Sequence, residues 1–188
     1  MNIKLFYKFS MRLYDLKSFY IVTDIKEHKE NKDKLLSLID DMEASSVDNV
    51  SKTDWNLPRE TKRHYKDLFL KIIHPYLNEM SDKLKFKLCK ISNVWYQSYE
   101  KNSTHDWHVH PEVNYTNVYY LNLPDENIKT QLYDIKENKI IDIELKEGQL
   151  LTFPANILHR SPINTSNSIK TIISFNTNFD GFTGDNDV

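Results

Sequence analysis

The sequence feature that most constrains the fold is a series of short, strand-like segments that begins at Leu84 and ends at Asn176. Each segment is rich in β-branched and aromatic residues or alternates between apolar and polar residues, and turn-forming residues separate the segments. Closely spaced strands of this kind are typical of a sandwich or barrel of the jelly-roll type. We therefore predict a mainly β (α+β) fold, a cupin-like double-stranded β-helix. The segments comprise residues 84–88, 94–99, 117–124, 130–134, 141–145, 149–154 and 169–176.

The part of the chain before residue 83 follows a different pattern. A short strand is predicted at residues 19–22, which are aromatic or β-branched. Residues 35–42 place apolar side chains at helical spacing, and residues 65–80 do so over a longer stretch. The polar segment 44–54 between them is predicted to be a loop. We expect the two helices to buttress the β-sheet of the jelly roll.

Two prolines bear on the second helix. Pro58 suits the first turn of a helix, where a missing N–H group costs nothing. Pro75 lies inside the apolar stripe, where the ring removes a helical hydrogen bond. The second helix is therefore predicted to begin near Pro58 and to be kinked or broken at Pro75.

The length of 188 residues fits a single domain with a buried core. Within residues 1–188 we distinguish an N-terminal strand and helical buttress at residues 1–82, a jelly-roll catalytic core at residues 84–179 and a flexible tail at residues 180–188. Met11 is an alternative start to Met1, and the sequence leaves that choice open.

Charge and cysteine content narrow the classes of function. The net charge is −2 and lysines are interleaved with acidic residues, so there is no clear nucleic-acid-binding signal. No apolar run approaches the ~20 residues that span a membrane, and the N-terminus has no signal-peptide pattern. The single cysteine, Cys89, excludes a disulfide within the chain and favours a reducing compartment. We expect a cytoplasmic location.

A cluster of histidines points to a metal site. His108 and His110 form an H-x-H pair, and side chains at i and i+2 of a strand point to the same face. His159 lies far downstream in an otherwise apolar segment. A close pair and a distant third ligand are typical of metal sites with open coordination positions. His105 is expected to face the other side of the strand. His28, His64 and His74, in helical or flanking segments, are interpreted as structural.

The second ligand has alternatives. The i, i+2 spacing favours His110, but Glu112 and Asp106 each offer a carboxylate nearby. The sequence leaves the three open.

The order and spacing of these motifs resemble those of the 2-oxoglutarate- and Fe(II)-dependent oxygenases, in particular their small bacterial and phage members and, more distantly, prolyl hydroxylases. The likeness covers about residues 92–178. It is carried by His108-Val109-His110, Val118-Tyr119-Tyr120-Leu121-Asn122, Gly148 to Pro154, His159, and Lys170 to Asn176.

The resemblance implies an enzyme that couples oxidative decarboxylation of 2-oxoglutarate to oxidation, and in particular hydroxylation, of a substrate, with Fe(II), 2-oxoglutarate and O2. His108 and His159 match the histidine ligands of the family. Tyr120 matches a tyrosine that contacts the cosubstrate in prolyl hydroxylases, and Lys170 matches the basic residue that pairs with its far carboxylate. Strand parity places Ser174 on the same face as Lys170, so Ser174 joins the residues expected to bind the cosubstrate.

Two departures from the family pattern stand out. His110 occupies the position of the carboxylate ligand, so three neutral imidazoles would leave the metal its full charge. Ile172 occupies the position of a serine found in many members, and Ser174 lies two residues too late to match it.

Two further functions are compatible with the same residues. One is a three-histidine cupin metalloenzyme that does not use 2-oxoglutarate; the other is a jelly-roll binding module without catalysis. The substrate, a small molecule or a protein side chain, is not identified, and a homodimer is open. The residues interpreted as pocket wall or jelly-roll core are Trp95, Tyr96, Gln97, Tyr99, Thr130 and Gln131, and Arg160 is read as meeting an anionic substrate or solvent.

Overall fold

Strands dominate the computed structural model, which describes residues 16–183. Two helices, α1 (His28–Asp40) and α2 (Lys66–Lys83), and a 3-10 helix (Glu126–Ile128) accompany them. The strands are β1 (Ile21–Asp24), β2 (Ser45–Val47), β3 (Val50–Thr53), β4 (Phe86–Tyr99), β5 (His105–His108), β6 (Tyr115–Asn122), β7 (Gln131–Asp134), β8 (Lys139–Ile141), β9 (Gln149–Pro154), β10 (His159–Ser161) and β11 (Lys170–Phe182).

The strands form two antiparallel sheets. The larger sheet has the order β1-β9-β6-β11-β4-β3-β2, and the smaller sheet has the order β5-β10-β7-β8. Most neighbouring strands, such as β11 and β4 or β10 and β5, are far apart in the chain, as in a jelly roll. The predicted mainly β, cupin-like fold is confirmed.

Alternate residues of the large sheet are buried against different partners, because side chains of a strand alternate between its faces. Tyr119 and Phe175 contact Phe69 of α2, with ring centroids 5.9 and 5.5 Å away. Val118 and Ile172 belong to a second apolar cluster, with residues of the small sheet and its loops. The helices therefore buttress the outer face, as predicted, and the inner face is left to meet the small sheet.

Helix α2 differs from its prediction at both prolines. It begins at Lys66 rather than near Pro58, and it continues through Pro75 without a break. Pro75 lies on the exposed face, whereas Phe69, Ile73 and Leu77 on the opposite face are buried. Burial of this apolar face holds the helix together across the lost hydrogen bond.

The segment predicted to be a loop, residues 44–54, forms the hairpin β2–β3. Asp48 and Asn49 at its tip have φ values of 49° and 67°. These left-handed conformations match a tight two-residue hairpin turn, which asparagine and aspartate tolerate. β3 then pairs with β4, so the hairpin extends the large sheet beside the histidine cluster.

Other predicted boundaries shift. The segments predicted at 84–88 and 94–99 are one strand, β4, and the segment at 141–145 is a strand only up to Ile141. β11 continues to Phe182, past the predicted start of the tail. Residues 184–188 of that tail, and the choice between Met1 and Met11, lie outside the described residues. Within residues 16–183, no helix combines the length and the apolar character needed to cross a membrane.

Candidate metal centre and its cavities

Three histidines converge between the two sheets. One ring nitrogen from each of His108, His110 and His159 lies within 4.8 Å of the other two. Small inward movements of the rings would bring all three to ~2.1 Å from a single ion. His108 and His159 are directly opposite each other on the paired strands β5 and β10. His110 lies just beyond β5, where its N–H group donates to the carbonyl oxygen of Ala155.

Neither alternative ligand joins this group. The carboxylate of Asp106 accepts a hydrogen bond from the N–H group of Trp107, and its side chain is exposed. Glu112 is exposed and has a left-handed backbone, with φ at 64°. Among the described residues, the cluster that can hold a metal consists of three imidazoles.

Hydrogen bonds orient all three rings. Nδ1 of His108 donates to the carbonyl oxygen of Asp106, and Nδ1 of His159 donates to that of Ile157, at 2.7 and 2.8 Å. Nδ1 of His110 lies 2.8 Å from Oδ1 of Asn176. With Nδ1 protonated in each ring, every Nε2 keeps a lone pair for a metal.

Burial keeps the rings uncharged. Desolvation lowers the pKa of His159 to about 3, and neighbouring histidines add to the effect. Desolvation also lowers the pKa values of His108 and His110. Neutral imidazole is the form that binds a metal, so the three rings are in the protonation state that suits a cation at neutral pH.

His105 does not face away from the cluster, contrary to the prediction. Its ring stacks on that of His108, with centroids 4.0 Å apart. Ser161 is opposite His105 and His159 is opposite His108. The interval of three residues between the two histidines of β5 therefore pairs with an interval of two residues in β10. Such a β-bulge brings residues three apart onto one face. Desolvation lowers the pKa of His105 to about 4.

A narrow inner cavity of about 30 Å³ adjoins the histidines. Its walls come from the inner faces of the two sheets. It is lined by Trp95, Gln97, Tyr99, His105, His108, His110, Thr116, Val118, Thr130, His159, Arg160, Ser161, Ile172 and Ser174. This volume holds no more than a water or two, so a larger ligand displaces side chains.

Lys170 lies behind the wall of this cavity and is 0% exposed. Its ammonium donates to Oγ of Ser161 and to the carbonyl oxygen of Ile128, both at 2.7 Å, and lies 4.8 Å from the ring centroid of Tyr99. These partners are neutral, and desolvation lowers the pKa of Lys170 to about 7. The inward orientation follows strand parity, as predicted.

Tyr120 is less accessible than expected. Its hydroxyl donates to Oγ1 of Thr130 at 2.6 Å and accepts from the N–H group of Thr130 at 3.0 Å. Thr130, rather than Tyr120, reaches the cavity. Tyr99 also lines it, so the structure places a different tyrosine beside Lys170.

Ser174 and Arg160 both reach the inner cavity. The hydroxyl of Ser174 donates to Oε1 of Gln97 at 3.3 Å. The guanidinium of Arg160 donates to Oε1 of Gln131 and lies over the ring of Trp107, 4.5 Å from its centroid. Gln131 thus orients Arg160.

A larger outer cavity of about 540 Å³ opens from the same histidines. His105, His108 and His110 line both cavities, so the outer one gives access to the cluster. The hairpin β2–β3 contributes to its wall with Val47, Asp48 and Val50. A cavity of this size accommodates a small molecule or a side chain.

Sequence reasoning missed three contributors. Asn176 shares the strand parity of Lys170 and Ser174, so continuing that alternation would have found it. Ser161 lies two residues after His159, on the same face of β10. Trp55, which follows β3 and lines the outer cavity, gave no local signal, because the hairpin before it was predicted to be a loop.

Comparison with known proteins identifies this architecture. No protein-family model and no curated protein matches the sequence. An oxidoreductase of the 2OG-Fe(II) oxygenase family from Burkholderia pseudomallei superposes with a TM-score of 0.67 and 10% identity, covering 87% of this chain and 86% of that one.

Two prolyl hydroxylases are also similar. The collagen prolyl hydroxylase of Paramecium bursaria Chlorella virus-1, solved with 2-oxoglutarate, has a TM-score of 0.59 and 16% identity over 84% of this chain and 94% of that one. The enzyme of Trichoplax adhaerens, in complex with a hypoxia-inducible-factor peptide, has a TM-score of 0.62 and 16% identity over 86% and 83%. The chain therefore has the jelly-roll fold of the 2-oxoglutarate- and Fe(II)-dependent oxygenases.

Proposed function

We propose that this protein is an oxygenase that uses Fe(II), O2 and 2-oxoglutarate to oxidise a substrate, and that the reaction is a hydroxylation. The observation that carries the proposal is the pairing of a three-imidazole cluster with a buried lysine across one small cavity. The oxygenases that share the fold, one of them solved with 2-oxoglutarate, support the same class.

The donor set suits a divalent transition metal. Imidazole is a ligand for iron, and three ligands leave coordination positions open for other molecules. Each ring is held by a hydrogen bond at Nδ1, which fixes its tautomer and its direction. Three neutral ligands leave a +2 charge, which favours a dianionic partner such as 2-oxoglutarate.

Lys170 suits the far carboxylate of that partner. A buried ammonium bonded only to neutral oxygens has a strong preference for an anion. Ser161, which accepts a hydrogen bond from the ammonium, lines the cavity together with Thr130, and both offer hydroxyl groups to a ligand. Because the cavity is narrow, binding of the five-carbon acid would require these side chains to move.

The roles of the chain's own residues follow from this geometry. When bound, the iron and the 2-oxo acid supply the oxidising chemistry, which ends in succinate, CO2 and an oxidised substrate. His108, His110 and His159 hold the metal, and Lys170 orients the acid. Apolar residues such as Val118 and Ile172 exclude water from the inner cavity. The outer cavity admits the substrate, for which a small molecule and a protein side chain are both of suitable size.

The cellular setting proposed is the cytoplasm. Cys89 is a free thiol, and burial raises its pKa to about 11, so it stays protonated. A reducing compartment suits both this thiol and ferrous iron.

The proposal is tested by conversion of 2-oxoglutarate to succinate with Fe(II) and ascorbate. We expect metal-dependent turnover that His108→Ala abolishes. His74→Ala, at an exposed position of α2, is the matched control and should leave turnover unchanged. Bound iron with no turnover on any substrate panel would instead favour the binding module without catalysis.

A three-histidine metalloenzyme that does not use 2-oxoglutarate is the second candidate, and His110 in place of a carboxylate ligand favours it. That alternative gives Lys170 no role. Lys170→Met keeps the length of the side chain and removes its charge. The oxygenase should lose affinity for 2-oxoglutarate by at least tenfold, whereas the alternative enzyme should retain metal and activity.

A further inference from the structure

The carboxylates that line the outer cavity are not balanced by lysine or arginine side chains in the part of the chain that the structure describes. Asp48 and Glu112 line it, and no lysine or arginine is among the described residues that do so. Arg59, Arg63 and Lys66 line a neighbouring cavity that shares Trp55 and Trp95, but none of the three lines the outer cavity. Both acids are exposed, which places them at the open end of the cavity.

An aromatic wall connects that open end to the metal centre. The rings of Trp55 and Trp95 meet edge to face, with centroids 4.5 Å apart. Trp95 in turn lies 5.9 Å from the ring of His110. Trp55 lines the outer cavity and is 48% exposed, so part of its ring is accessible to a ligand there.

The backbone that carries the exposed indole is held by hydrogen bonds. The backbone N–H group of Trp55 donates to Oγ1 of Thr53 at 3.1 Å. The next residue toward the strand, Asp54, is 0% exposed, pairs with Arg63 and accepts from the N–H group of Tyr96. A wall that is already ordered loses little conformational entropy on binding.

We propose that the outer cavity selects a substrate bearing a positive charge, an ammonium or guanidinium on an aliphatic chain. The cation contacts the face of Trp55 and the carboxylates of Asp48 and Glu112, and the aliphatic chain extends along Trp95 toward the three histidines. Tryptophan is the preferred aromatic partner of such cations, and the two acids complement their charge. This inference rests on the proposed function for the location of the reacting end.

The test is a set of calorimetric titrations with matched probes, made with and without Fe(II) and 2-oxoglutarate in the absence of O2. Lysine is compared with Nε-acetyl-lysine, and arginine with citrulline, because each pair differs chiefly in charge. Each residue is presented both as the free amino acid and within a blocked tripeptide, which separates a metabolite from a protein side chain. We expect at least tenfold tighter binding of the charged member in one of these forms.

Substitutions of residues that line the outer cavity test whether this cavity causes the preference for the charged probe. Asp48→Asn and Glu112→Gln should each weaken binding of the charged probe by about two- to fivefold and leave the neutral probe unchanged. Trp55→Leu should weaken it similarly, and Trp55→Phe should restore part of the loss. Glu144→Gln removes an exposed acid that does not line the cavity and should have no effect.

Three outcomes would overturn the inference: equal or tighter binding of the neutral probes, no saturable binding of any charged probe, or binding that is indifferent to all four variants. Failure of the proposed function has a different signature. In that case the charged probes bind with the expected preference, but neither Fe(II) nor 2-oxoglutarate alters their affinity and no succinate forms.

Discussion

At the scale of single residues, the centre depends on the atoms that hold the imidazoles. Oδ1 of Asn176 contacts Nδ1 of His110 at 2.8 Å and accepts from the hydroxyl of Thr116 at 3.4 Å. It is a side-chain partner, whereas the other two rings bond to backbone carbonyl oxygens. A mutation can therefore remove the orientation of His110 without touching a ligand.

Asn176→Leu should lower metal affinity by about 10- to 100-fold, because the ring of His110 loses its fixed tautomer and direction. Calorimetric titration with Fe(II) under nitrogen measures the change. Asn176→Asp keeps the acceptor oxygen and should retain tight binding. Unchanged affinity in Asn176→Leu would show that His110 needs no such support, or does not bind the metal.

Lys170 gives the binding of 2-oxoglutarate a pH dependence. Desolvation lowers its pKa to about 7 from an ordinary value near 10.5, so the free protein loses the proton as the pH rises above neutrality. The dianion requires the protonated form, so its affinity should fall by up to about tenfold per pH unit above 7. Titrations at pH 6.5, 7.5 and 8.5 measure this slope.

Lys170→Met is the control for that slope and should bind weakly at every pH. The unliganded wild type offers an independent check. Its unfolded state keeps the lysine proton up to a pH near 10.5, so this group makes the folded protein more stable as the pH rises from about 7. An affinity for 2-oxoglutarate that is flat with pH in the wild type would rule out Lys170 as its partner.

At the scale of elements, the local sequence pattern predicts the orientation of side chains in some strands, and tertiary packing changes it in others. Alternation in β11 correctly predicted which side chains face inward. It failed in β5, because the bulge opposite β10 depends on a strand far away in the sequence. The hairpin β2–β3 was predicted to be a loop because its two strands are short and the segment is polar, although Asp48-Asn49 is a turn signal.

Helix α2 tests whether tertiary packing outweighs the unfavourable effect of a proline inside a helix. Pro75 is exposed within an unbroken helix, so its ring costs stability that packing of the opposite face offsets. Pro75→Ala restores a backbone donor and should stabilise the protein by about 1–3 kcal/mol. Denaturant unfolding measures this, with the exposed Lys71→Ala as a control expected within about 0.5 kcal/mol of the wild type. A destabilised Pro75→Ala would mean that the ring makes contacts the helix needs.

At the scale of the whole molecule, the series of strand-like segments predicted the jelly roll, and the histidine spacing predicted the three histidines that the fold brings together. His108, His110 and His159 are separated by up to 51 positions, yet β5 and β10 place two of them opposite each other. The large sheet turns one face to α1 and α2 and the other to the histidines. Trp55 could not be predicted, because its position depends on the pairing of β3 with β4, which has no local signature. Ser161 was missed because the i, i+2 alternation was not continued past His159.

The most direct measurement of the central claim is a calorimetric titration of 2-oxoglutarate into the Fe(II)-loaded protein in the absence of O2. The account predicts saturable binding at one site per chain that disappears when the metal is removed. Binding that does not depend on the metal, or no binding at all to protein shown to contain iron, would contradict it.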